Sequence, residues 1–125
     1  MDDKNGILIL DDESTLRESM ADFLEEYSFN VLTADSAEDG IRILQQVPSI
    51  FLAIVDLRLP GMDGIEFIKK MHKRYTQLKF IIHTGSLNYN LDQELEEMGL
   101  THEDIFFKPV TDLVPMLETI QRKTH

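Results

Sequence analysis

Phe51-Leu52-Ala53-Ile54-Val55-Asp56 decides the fold, because an unbroken apolar run leads straight into an acid. A strand with one wet face would alternate, so continuous apolarity predicts a strand covered on both faces. Outward from it the pattern recurs. Ile7 to Leu10 lies between Gly6 and Asp11-Asp12, Phe80 to Ile82 leads into His83-Thr84-Gly85, and Ile105 to Phe107 leads into Lys108-Pro109. Asn30 to Ala34 is a weaker strand beside the first. Between these runs the period turns helical. Leu16, Met20, Phe23, Leu24 and Tyr27 form one stripe, with Ser14 or Thr15 as its start. Ala37, Ile41 and Leu44 follow Ser36, which with Asp39 resembles a capping box. Ile65, Ile68, Met71 and Tyr75 predict a third helix, and Leu91, Leu95 and Met98, closed by Gly99, a fourth. Leu113, Leu117 and Ile120 predict a fifth, with Asp112 as N-cap and Pro115 at N3, where its missing N–H had no intrahelical acceptor.

Strict alternation of buried strands and helices specifies an α/β fold, a doubly wound five-stranded parallel sheet with helices on both faces. With no linker or repeat, the 125 residues read as a single domain, 1–125. A chain of this length buries about two thirds of its unfolded surface and needs no metal or disulfide merely to fold. The absence of cysteine excludes a disulfide framework, a thiolate zinc site and a thiol nucleophile. The net charge is −11, from 12 basic and 23 acidic residues. That surplus repels phosphate backbones and anionic lipid, so no direct nucleic acid or membrane partner is expected. Met1-Asp2-Asp3-Lys4-Asn5-Gly6 lacks the basic start and apolar run of a signal peptide, and the reading is a soluble, cytoplasmic protein. No Gly-rich G-x-G-x-x-G or G-x-x-x-x-G-K-[ST] supports a nucleotide or flavin site.

In such sheets ligands bind beyond the carboxyl ends of the strands. Asp11, Asp12, Asp56, Thr84 and Lys108 all stand there. Each alone reads as a cap, a turn former or a solvated charge. Together they conflict, since two carboxylates about 5 Å apart repel by about 3 kcal/mol at an effective dielectric near 20. A cation offsets this, and an all-oxygen set with no cysteine or histidine in the pattern favours Mg²⁺, with Mn²⁺ as a substitute, over zinc. Mg²⁺ on carboxylates keeps open positions for phosphate oxygens, which makes a carboxylate the candidate nucleophile in phosphoryl transfer.

These residues resemble the receiver domain of bacterial two-component response regulators, the CheY-like superfamily with its flavodoxin-like (βα)5 fold. The resemblance rests on Asp11-Asp12, on Asp56-Leu57-Arg58-Leu59-Pro60-Gly61-Met62-Asp63-Gly64, on Thr84-Gly85 and on Lys108-Pro109, and spans nearly the whole chain. It implies that Asp56 is the phosphoacceptor, and that Asp12, Asp56 and the backbone carbonyl of Arg58 ligate Mg²⁺, with Asp11 acting through metal-bound water. Thr84 and Lys108 would contact the phosphoryl group, and a cis Lys108-Pro109 peptide would aim the lysine inward. The phosphoryl donor would be a histidine kinase or histidine phosphotransfer protein. The readout surface would be helix 4, strand 5 and helix 5, roughly 90–99, 105–107 and 112–122, acting on a downstream effector protein or output domain.

One departure concerns the switch. Where the family often has Tyr or Phe three residues before the lysine, this chain has Ile105, so aromatic gating is not expected there. Period-2 geometry puts Phe107 on the face of Ile105 and Phe106 on the other, both as sheet core, unless a bulge in the longer 99–104 stretch re-aims Phe106. Arg58 and Ser86, two residues past Asp56 and Thr84, are the positions expected to tune the lifetime of the acyl phosphate. His83, next to Thr84, should face away from the site. Asp92 to Glu97 reads as a solvated helix face. Two other functions compete: a phosphohydrolase or phosphomutase with an aspartyl nucleophile, disfavoured because Arg58 stands where a second acid is needed, and a receiver-like module that works without phosphorylation. The chain is thus expected to be no enzyme beyond catalysing its own phosphorylation and dephosphorylation.

Overall fold

Apolarity on both faces puts β1 (Gly6–Leu10) and β3 (Ile50–Val55) inside the sheet, with every residue of both buried. In the computed structural model, which describes residues 4–124, the strands run parallel in the order β2-β1-β3-β4-β5. β2 (Asn30–Ala34) is an edge strand, half exposed, which is why its sequence signal is weak. β4 (Lys79–Thr84) and β5 (Ile105–Phe107) complete the sheet. The Met1-Asp2-Asp3 part of the N-terminal reading lies outside the described residues.

Alternate strand residues feed two cores. Leu8, Leu10, Ala53, Val55, Phe80, Ile82 and Ile105 pack under α2 (Ala37–Gln46), α3 (Gly64–Arg74) and α4 (Gln93–Glu97). Ile7, Ile9, Leu52, Ile54 and Ile81 pack under α1 (Ser14–Glu25) and α5 (Val114–Arg122). Among the described residues no helix is long and apolar enough to cross a membrane.

Several local expectations need correction. α1 begins at Ser14 as expected, behind Glu13 as an N-cap without a side-chain bond, but Tyr27 lies beyond the helix end, 45% exposed, its ring 5.2 Å from that of Phe23. The fully buried residues of α3 are Gly64, Phe67, Ile68 and Met71, so Phe67 joins the expected stripe, while Ile65 and Tyr75 pack against the same core only partly buried. Of the predicted fourth helix only Gln93–Glu97 is helical: Asp92 caps its start, and Gly99, at φ +99°, follows its end. Asp92 and Glu94 also pair with Lys69 of α3, which narrows the solvated-face reading of this stretch. In α5 the N-cap is Leu113 and Pro115 sits at N2, while Asp112 Oδ1 accepts the Val114 N–H at 3.0 Å. Ser36 does accept the Asp39 N–H, at 3.1 Å.

Residues 99–104 contain a 3-10 turn, His102–Asp104, closed by a capping box between Thr101 and Asp104. Asp104 is buried and ion-paired with Lys123 at 2.8 Å, which ties this turn to the end of α5. The β4–β5 register stays regular, Ile82 to Ile105, His83 to Phe106 and Thr84 to Phe107, so no bulge re-aims Phe106. Phe106 packs with the α1/α5 core as expected, but Phe107 is not core: it is 39% exposed.

Candidate functional site

Parallel pairing brings the strand ends into one place. The Asp56 N–H donates to the Leu10 carbonyl at 2.9 Å and the Asp11 N–H to the Ala34 carbonyl at 3.1 Å, so β1, held against β2, and β3 deliver their following acids side by side. Carboxylate oxygens of Asp11, Asp12 and Asp56 all lie within 4.8 Å of one another, with Asp11 and Asp56 buried and Asp12 exposed. Lys108 arrives from β5, where its N–H donates to the Thr84 carbonyl at 2.8 Å and the Lys108–Pro109 peptide is cis. Its ammonium lies 3.1 Å from Asp11 Oδ2 and 3.2 Å from Asp56 Oδ2.

Glu13, absent from the residues read out of the sequence, is the third partner of that ammonium, 3.0 Å away. The only available signal was its place in the acid run Asp11-Asp12-Glu13. Spacing could not say that a 62% exposed side chain folds back over Lys108. The cluster holds hard oxygen donors and one ammonium, which is charge chemistry suited to a divalent cation. Burial pushes the Asp56 carboxyl above its ordinary value; the Arg58 N–H opposes this, Asp11 adds to it, and Lys108 opposes it. Burial would lower Lys108, but Glu13 and then Asp11 and Asp56 outweigh it and hold the ammonium charged.

The turn after Asp56 is shaped by two glycines for different reasons. Gly61 adopts φ +75°. Gly64 does not take positive φ; a Cβ there would lie 2.4 Å from the Asp56 carbonyl oxygen, so only glycine lets α3 start against the strand end. The Arg58 N–H donates to Asp56 Oδ1 at 3.1 Å, and the Arg58 guanidinium reaches Ser86 Oγ at 3.4 Å. The two positions singled out for tuning therefore touch. Thr84 is buried and its Oγ1 accepts the Ser86 N–H at 3.1 Å. Ile105 is buried in the core under α2 to α4, below the site and not in it.

His83 is buried with both ring nitrogens unpartnered, on the sheet face opposite Thr84 by alternation. Burial, then Lys108, lowers its pKa to about 4, so it is neutral at physiological pH. An apolar groove lined by Glu13, Thr15, Leu16, Ser19, Lys108, Pro109 and Val110 opens beside the site.

A family model described as response regulator receiver domain matches residues 7–121. The transcriptional regulatory protein FixJ of Bradyrhizobium diazoefficiens is 31% identical over all of this chain and 60% of its own length. Response regulator GtcR of Aneurinibacillus migulanus is 35% identical over 86% of this chain and 43% of its own. The chain thus spans about half the length of these relatives. A CheY-like receiver domain protein from Methanospirillum hungatei superposes with a TM-score of 0.78 at 29% identity, covering 96% of this chain and 93% of that one. TrrA from Thermotoga maritima, solved with Mg²⁺ and beryllofluoride, shares the fold at a TM-score of 0.81 and 23% identity, over 95% of this chain and 98% of that one.

Proposed function

The chain belongs to the response regulator receiver family, and from that premise we propose that it is a phosphoacceptor switch, modified on Asp56 by a histidine kinase or histidine phosphotransfer protein. The observation that carries the reading is the convergence of the Asp11, Asp12 and Asp56 carboxylates within 4.8 Å of one another, two of them, Asp11 and Asp56, on a lysine ammonium from a distant strand. Caps and turn formers do not require that repulsion; a phosphoryl-transfer site does.

Asp56, Asp12 and the carbonyl of Arg58 are the groups that would hold Mg²⁺, or Mn²⁺ in its place, with Asp11 behind them through water. Bound there, the cation supplies neutralisation of phosphoryl oxygens. A carboxylate oxygen of Asp56, ionised in reach of Lys108, attacks phosphorus. The new P–O bond forms as the P–N bond to the donor imidazole breaks, and the imidazole leaves with that electron pair. The donor's approach is the groove between Leu16 and Pro109-Val110, which ends at Lys108. Lys108 then meets the negative charge that builds up, and Thr84 turns its hydroxyl from the Ser86 N–H to a phosphoryl oxygen. Two charge-assisted hydrogen bonds of about 1.5–3 kcal/mol each are comparable with the ~5.5 kcal/mol that inverts a two-state population from 1:99 to 99:1. The change is read at α4, β5 and α5 by an effector protein or output domain, in the cytoplasm. The domain is residues 1–125 acting as one unit.

Incubation with acetyl phosphate and Mg²⁺, followed by intact mass measurement, tests this. One metal-dependent phosphoryl adduct is expected on the parent and none on Asp56→Asn. Steady phosphate release from diverse esters would overturn the reading in favour of a hydrolase.

A further inference from the structure

Charge is spread unevenly over this acidic molecule. The acids Asp11, Asp12 and Asp56 cluster beyond the carboxyl ends of the strands. At the opposite end of the sheet, where β4 begins, a cavity of about 250 Å³ is lined by His72, Lys79, Arg122 and Lys123. It lies where the ends of three helices meet: His72 is in the last turn of α3, Gly99 follows α4, and Arg122 closes α5. Buried Leu78, Phe80 and Leu100 form its apolar side. Lys123 is already neutralised there, because the buried carboxylate of Asp104 holds it at 2.8 Å. Arg122 spends one N–H on Thr119 Oγ1 at 3.1 Å, and a hydroxyl cancels no charge. Both Arg122 and Lys79 are exposed, and among the described residues neither is ion-paired. The negative end of the α5 dipole accounts for Arg122, but Lys79 opens a strand and has no such partner. Two uncompensated cations therefore line one small concavity in a chain of net charge −11.

We propose that this cavity is a second anion site, which binds a diphosphate group, free or carried on an organic molecule. A planar guanidinium and an ammonium are the donors that phosphate oxygens take, the first through paired N–H bonds and the second as a point charge. Two free cations match two phosphoryl groups better than one, and the cavity admits a compact anion but no duplex or bilayer. A second cavity of about 310 Å³ shares Thr76 and Leu78 with the first and adds Leu44, Val47, Pro48 and Tyr75, an adjoining apolar wall for an organic carrier. The inference stands apart from the phosphoacceptor reading, since Asp56 is at the other end of the sheet.

Amide NMR of the full chain, titrated with pyrophosphate at pH 7 and constant ionic strength, tests this. EDTA is present throughout, so that no divalent cation can hold an anion at the acid cluster. Saturable shifts are expected at Lys79, Phe80, Gly99, Leu100 and Lys123, half complete below about 1 mM, with the amides of Asp12 and Asp56 unmoved. Lys79→Gln and Arg122→Gln should each weaken binding about three- to tenfold. Lys70→Gln and Lys73→Gln remove the same charge from exposed positions of α3 outside the cavity, and should leave affinity within about twofold of the parent. Adenosine diphosphate serves as the second probe: tighter binding than pyrophosphate identifies an organic carrier on the Tyr75 wall, and equal or weaker binding identifies free diphosphate. Shifts that stay linear with concentration overturn the inference, as does equal weakening by the α3 substitutions, which would mean diffuse attraction to surface charge. Neither failure touches the phosphoacceptor reading, whose adduct on Asp56 makes no use of this cavity.

Discussion

Replacing Asp56 by Asn is expected to raise the melting temperature of the metal-free protein. The sign is not obvious, because breaking a buried ion pair usually destabilises by stranding the partner. Here the partner is not stranded: Lys108 keeps Asp11 at 3.1 Å and Glu13 at 3.0 Å. At an effective dielectric near 20, Asp11 within 4.8 Å repels Asp56 by about 3.5 kcal/mol, and Lys108 at 3.2 Å attracts it by about 5 kcal/mol. Asp12 is exposed, so water reduces its repulsion to about 1 kcal/mol. These pair terms cancel to within about 1 kcal/mol, which leaves desolvation of a buried carboxylate, several kcal/mol before relaxation, to decide. The raised pKa of Asp56, with burial as its largest cause, has the same sign. Asn still buries a polar group, so the net gain is about 1–3 kcal/mol, or about 3–10 °C in Tm for a domain of this size. The folded pKa lies above the ordinary 3.8, so Asp56 contributes stability below pH 3.8 that is lost as pH rises through the folded value. The gap between variant and parent should therefore open above about pH 4 and close below it, in thermal melts with EDTA. Added Mg²⁺ should stabilise the parent more than the variant. A variant that melts at or below the parent at pH 7 would refute the argument.

Three further outcomes follow from single contacts. His83→Leu removes two unpartnered buried nitrogens and should stabilise the fold by about 1–3 kcal/mol at pH 7 with phosphorylation intact; lost phosphorylation in a folded variant would show His83 acting on the site. Because its folded pKa is about 4 against 6.5 ordinarily, His83 contributes stability above pH 6.5 that is lost as pH falls toward 4, so acid titration should widen the His83→Leu advantage by about 2–4 kcal/mol. Arg58→Ala releases Ser86 and should change acyl phosphate decay about two- to fivefold with little effect on yield; unchanged decay, followed by mass, would sink the assignment. Lys69 pairs with Asp92 at 2.9 Å and Glu94 at 3.3 Å, so Lys69→Met should speed amide exchange in residues 93–97, and high salt should do the same to the parent.

The fold was legible because β1 and β3 are buried on both faces, and only apolar residues tolerate that. Legibility fell where one face is wet. β2 carries Asn30 and Thr33 on an exposed edge, and α4 buries only Leu95, so its acids hid how little of the Leu91 to Met98 stripe is helical. Asp112 and Leu113 both precede α5, and residue type favoured the better side-chain acceptor as cap. The chain instead spends Asp112 on the Val114 N–H from one position further out. Within the site, Asp11, Asp12, Asp56, Thr84 and Lys108 could be named because topology alone gathers strand ends. Glu13 could not, since its position depends on where a long side chain folds.

Glu13 also determines how the resting site is held. Its carboxylate is 62% exposed, whereas Asp11 and Asp56 on the same ammonium are buried, so Glu13 is the partner water replaces most readily. An exposed pair contributes at most about 1 kcal/mol. A phosphoryl group on Asp56 would bring about −1.5 to −2 charges into a site largely closed to solvent, against one negative charge at the rim. The ammonium should then leave Glu13 before either buried acid. Glu13→Gln therefore takes away a restraint present only in the resting state, and should raise beryllofluoride affinity in Mg²⁺ by about two- to fivefold. A decrease in that affinity, measured by calorimetry at constant ionic strength, would mean that Glu13 helps to hold the cation and does not restrain Lys108.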